Sequence, residues 1–154
     1  MAYAQMTKLS SRIGENKDCA VSALAWVLGI SYEAVHQAMD VAGRAHAEGT
    51  PLHITRVAMK ALGFRVRREY SAERLGLEVG VRKPKTSDAA ANPAAWEHLP
   101  PLLLHMHRHS AAFVGGRVED WTADRDAPIE QAWELERIGT GLRLKDELPP
   151  VVYL

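Results

Sequence analysis

The sequence predicts an α+β protein, with N-terminal helices packed on a mostly antiparallel sheet. Three observations lead there. Apolar residues recur at helical spacing up to Leu62. From Phe64 to Val114 the chain turns to alternating or continuous apolar runs of strand type. The pair Gly115-Gly116 then supplies the two positive-φ positions that a tight hairpin needs. With 154 residues and 47% hydrophobic content, the chain suits one globular domain, residues 1–154, with a core of its own.

The elements follow in order. Asp18 is the expected N-cap of a helix from Cys19 to Leu28, apolar nearly all round and therefore central, with Gly29 as its stop. Ser31 caps a second helix carrying Tyr32, Val35, Met39 and Ala42 on one face, closing near Gly43. Pro51 opens a third, with Leu52, Val57, Ala58, Ala61 and Leu62 at helical spacing and Gly63 behind it. Phe64, Val66, Arg68 and Tyr70 alternate with Arg65, Arg67 and Glu69, which predicts a strand. Residues 71–81 hold a short helix and 82–91 a loop. Pro93 to Trp96 forms a helical turn that Pro100-Pro101 ends. Residues 102–114 carry the strongest strand signal and are read as a single strand, returning through 117–122. Residues 128–138 are expected to be a helix, and 142–144 and 151–154 edge strands.

Composition narrows the classes. The formal charge is zero, so no long-range field favours nucleic acid or an anionic membrane, and neither is expected as a partner. The basic stretches 65–68 and 82–85 are short enough to be solvated faces. A single cysteine permits no internal disulfide, which fits a reducing compartment. Residues 1–11 lack the pattern of a secretory signal, and the apolar run 20–30 is too short to span a bilayer. A cytoplasmic location is the expectation.

The chemistry concentrates in few residues. A thiol at a helix N-terminus beside an imidazolium is a better nucleophile, because both favour the thiolate. Cys19 occupies such a position. With Gly115-Gly116 as the turn, Val114 opposes Arg117 and Ala111 opposes Asp120. His109 and Asp120 then become diagonal neighbours on one face, while Glu119 points to the other. A carboxylate so placed fixes the ring's tautomer and stabilises its charged form. Cys19, His109 and Asp120 are thus the candidate catalytic set, with no cofactor expected. A rival use of the same strand is metal binding. His105, His107 and His109 alternate along 102–114, an H-x-H arrangement, and Asp120 could complete a zinc set. The ligand count falls short, so no metal site is assigned.

The run Asp18-Cys19-Ala20-Val21 opening an apolar helix, with His109 to Val114 turning into Val118-Glu119-Asp120-Trp121, resembles the papain-like cysteine peptidase superfamily. It is most similar to the bacteriocin leader-processing (double-glycine) peptidases and small phage-encoded relatives, over residues 14–122. The resemblance implies a papain-like fold. It makes Cys19 the nucleophile, His109 the general base and acid, and Asp120 its orienter, and it gives Trp121 a water-shielding role. The family's glutamine donor to the oxyanion has no counterpart between Gln5 and Cys19. Asn16 is the candidate donor instead, beside the Cys19 backbone N–H. The expected function is a cysteine hydrolase, peptidase or amidase, taking a protein or peptide substrate through a thioester. The alternative is a catalytically idle papain-like binding protein, phage-encoded and engaging a host factor. Acyl transfer would use the same three residues. Oligomeric state is not legible.

Overall fold

The computed structural model describes residues 19–44, 50–120 and 126–139. Its helices are α1 (Cys19–Leu28), α2 (Tyr32–Val41), α3 (Leu52–Ala61), α4 (Ala72–Val79), α5 (Asp88–Ala91) and α6 (Pro93–Trp96). Its strands are β1 (Phe64–Ser71), β2 (Leu102–Met106), β3 (His109–Val114), β4 (Arg117–Glu119) and β5 (Gln131–Arg137). The five strands form one antiparallel sheet in the order β1-β5-β2-β3-β4.

Local chemistry explains most boundaries. Ser31 accepts a hydrogen bond from the Ala34 amide at 3.1 Å, and Ser71 one from the Arg74 amide at 3.1 Å. Each satisfies a donor that the first helical turn leaves orphaned. α4 ends at Gly80, whose φ of 73° is the left-handed conformation glycine adopts without strain. At the β3–β4 hairpin Gly115 and Gly116 have φ of 62° and 79°, the two-residue turn the sequence predicts.

The sheet is covered on both faces. On one side α1, α2 and α3 bury Val21, Leu24, Val35 and Met39 against Leu103, Ala112 and Trp133. On the other, α4, α5 and α6 bury Leu75, Ala89 and Trp96 against Leu102, Leu104, Ala111 and Phe113. A strand buried on both faces needs apolar residues at every position. That accounts for the continuous apolar run of β2, all five of whose residues are buried. Among the described residues no helix is long and apolar enough to cross a membrane.

Three sequence expectations are corrected. Residues 102–114 are two strands, not one. The chain reverses at His107 and Arg108, pairing Met106 with His109 and Leu104 with Ala111. No glycine, proline or asparagine announces that turn; Arg108 takes the left-handed conformation instead, at φ 52°. Residues 128–138, expected to be helical, contain β5, an interior strand paired with β1 and β2. Glu134, Leu135, Glu136 and Arg137 are good helix formers, but pairing on both edges and burial of Ala132 and Trp133 outweigh local propensity. The loop 82–91 is partly ordered by contacts: Lys85 bridges Pro128, the Ile129 amide donates to the Pro84 carbonyl at 2.9 Å, and α5 follows.

The basic stretch 65–68 is matched by β5. Arg65 meets Glu136 at 2.6 Å and Arg67 meets Glu134 at 3.3 Å, while Arg56 of α3 pairs with Glu69. The pairing register shifts between Val66 and Arg68, which breaks the strict alternation the sequence suggested for β1. The expected edge strands at 142–144 and 151–154 lie outside the described residues.

Candidate active site

α1 starts at Cys19, so the thiol belongs to its first turn, where backbone N–H groups lack intrahelical partners and the dipole is positive. The helix is buried from Ala20 to Ala25 and packs chiefly on β3. Cys19 itself remains partly exposed. His109 is the first residue of β3, immediately after the tight turn. Asp120 directly follows β4.

The β3–β4 register pairs Val114 with Arg117, Phe113 with Val118 and Ala112 with Glu119. One further step sets Asp120 opposite Ala111, two residues from His109 and on its face. Nε2 of His109 lies 2.7 Å from Oδ1 of Asp120, a charge-assisted length. Their side chains are 3% and 9% exposed. Such burial strengthens the pairing by excluding water.

His109 also hydrogen-bonds the Cys19 side chain. With Nε2 taken by Asp120, Nδ1 is the nitrogen left for sulfur. Burial alone would push the His109 pKa down. The hydrogen bonds to Asp120 and Cys19, with the charges of both, outweigh it and raise the ring from 6.5 to about 9. The imidazole is therefore a cation at neutral pH, held between a carboxylate and a sulfur. So placed, it can stabilise a thiolate, donate a proton to a leaving group, and take one back from water.

The other two histidines of the predicted trio do not join it. His107 is exposed in the turn. His105 lies on β2, opposite Ser110, with its ring edge-on to Trp133 at 4.1 Å between centroids. Burial first, and the nearby Arg56 charge second, lower its pKa to about 4, so it is neutral. The hairpin reversal at residues 107 and 108 is what separates the three. Among the described residues no group of three or more His, Cys, Asp or Glu side chains is placed to hold a metal ion. Asn16, Trp121 and Asp18, the residue expected to cap α1, lie outside the described residues. Sequence reasoning gave the turn residue Arg108 no role; nothing in its residue type marks a left-handed position.

The two perturbed histidines set opposite pH limits on stability. His109 has a folded pKa above its unfolded value, so its contribution is complete below pH 6.5 and lost as pH rises through about 9. His105 has a folded pKa below its unfolded value, so stability falls as pH drops from 6.5 toward about 4. Urea midpoints measured across this range are expected to peak near pH 6.5. His105→Phe should flatten the acid limb and leave the alkaline limb in place.

Comparison with protein-family models, with curated proteins and with solved structures finds no match to this chain.

Proposed function

We propose that the protein is a cysteine hydrolase of papain-like fold, cleaving a peptide or amide bond through a Cys19-His109-Asp120 triad. One observation carries it: His109 is hydrogen-bonded on one side to the buried Asp120 carboxylate and on the other to a thiol at a helix start. A core cysteine needs no such partner, and a purely structural histidine needs no such raised pKa.

The roles follow from the geometry. The Cys19 sulfur, its proton held by His109, attacks the carbonyl carbon and forms an S–C bond while the carbonyl electrons move to oxygen. The Cys19 backbone N–H, in the first turn of α1, is the proposed donor to that developing charge. As the oxyanion collapses, the C–N bond breaks and the amine leaves with the His109 proton. Water then attacks the thioester, His109 takes its proton, and the carboxylic acid departs with the thiol restored. Asp120 holds the ring in the tautomer that presents Nδ1 to sulfur and steadies its positive form.

Since Cys19 is the only cysteine, alkylation of the chain reports on this sulfur alone. Iodoacetamide is expected to label it at pH 6 about tenfold or more faster than it labels N-acetylcysteine, by the cationic neighbour. Digestion of a mixed peptide library, read by mass spectrometry, is expected with the parent and absent with Cys19→Ala at unchanged helical content. A thiol no faster than N-acetylcysteine would defeat the proposal and favour a catalytically idle binding protein of the same fold.

A further inference from the structure

Two exposed arginines, Arg82 and Arg108, have no ion pair, hydrogen bond or ring contact among the described residues, and of the two only Arg108 adjoins the candidate site. Arg56, Arg65, Arg67, Arg74 and Arg117 each lie within ion-pair distance of a glutamate. Arg108 is also the one described non-glycine with positive φ, at 52°. The left-handed region crowds a Cβ against the following carbonyl, so a glycine or asparagine would suit this turn better. Local folding therefore does not explain an arginine at this position. Its place in the fold does: the next residue is His109, whose ring contacts the Cys19 sulfur. The exposed His107 completes the turn. Among the described residues, a guanidinium with no ion-pair partner thus stands next in sequence to the histidine of the thiol–imidazole pair, in a protein of zero formal net charge.

We infer that Arg108 is a specificity residue of the proposed hydrolase, and that it selects substrates bearing a carboxylate close to the bond cleaved. The inference rests on the Cys19–His109 assignment and adds the charge class of the substrate. A guanidinium presents planar paired donors that fit a carboxylate, and an exposed one attracts anions over about a Debye length.

Two alkylating reagents of nearly equal size test this directly. With both, the Cys19 thiolate displaces iodide from carbon, the S–C bond forms, and iodide leaves with the electron pair. Iodoacetate carries a carboxylate and iodoacetamide does not. Their rate ratio on the parent protein at low ionic strength is expected to fall about threefold in Arg108→Gly, as for one unit charge within a Debye length of the reacting carbon. Arg108→Lys should keep the parental ratio, and added salt should abolish the difference. Glycine relaxes the turn, so Arg108→Gly is expected to fold at least as well as the parent; Arg108→Asn, which tolerates the same backbone, is the second neutral variant.

Two compounds then separate the sources of the carboxylate by protecting Cys19 from iodoacetamide. Protection by N-acetylglutamate amide supports an acidic side chain, and protection by N-acetylglycine supports a chain terminus. A ratio unchanged in both neutral variants, or protection by neither compound, overturns the inference while the hydrolase proposal stands. A parental Cys19 slow toward both reagents overturns the two together.

Discussion

His109→Gln is expected to slow alkylation of Cys19 at pH 6 by on the order of 30-fold, while the protein stays folded. The reasoning starts from charge. In the parent, an imidazolium sits against the sulfur, because hydrogen bonds to Asp120 and Cys19 hold the ring's pKa at about 9. Glutamine cannot carry that charge. An ordinary thiol titrating near 8.5 is roughly 0.3% thiolate at pH 6, partly offset by the greater intrinsic nucleophilicity of a more basic sulfur. Glutamine is chosen over alanine because its amide can still donate to the Asp120 carboxylate, only 9% exposed, which would otherwise lose its 2.7 Å partner. Alkylation rates followed from pH 5 to pH 9 give the readout. The parent is expected to be the faster of the two at pH 6, and the gap should narrow as pH rises toward 9, where the His109 ring loses its charge. A variant indistinguishable from the parent would mean that His109 does not act on the sulfur.

Trp133→Ala is expected to cost about 3–5 kcal/mol, the range for emptying a large aromatic site in a core. The indole is fully buried on an interior strand of the sheet, the one that joins β1 to β2. It meets the His105 ring edge-on, lies 4.3 Å beneath the Arg56 guanidinium, and donates from Nε1 to Gln131 at 2.8 Å. Domains of this size hold about 5–15 kcal/mol in total, so the loss should be visible as a large drop in the urea midpoint. Trp133→Phe keeps a ring in place and should cost much less. A loss under about 1 kcal/mol for the alanine variant would contradict a strand at this position.

Trp133 also marks where local pattern stopped being informative. The helices α1 to α3 were legible, because the cap at Ser31, the stop at Gly29 and apolar spacing act over a few residues. The β3–β4 hairpin was legible for the same reason, since two glycines fix the turn and the turn fixes the register. The segment holding β5 read as a helix because its helix-forming side chains are local, while its two strand partners lie more than 20 and more than 50 residues away. The reversal at Arg108 escaped notice because an arginine held in a left-handed turn carries no compositional mark.

The sequence by itself determined the class of fold, the placement of the one thiol at a helix start, and the shared face of His109 and Asp120. Those features depend on short-range sterics, capping and the two-residue period of a strand. Only the tertiary structure decided that the sheet is covered on both faces, that β5 is an interior strand between β1 and β2, and that the histidine trio splits across a hairpin. It alone set the His109 ring against the Cys19 sulfur. Contacts between distant segments are chosen by burial and backbone pairing over the whole chain, and no local window of residues contains that information.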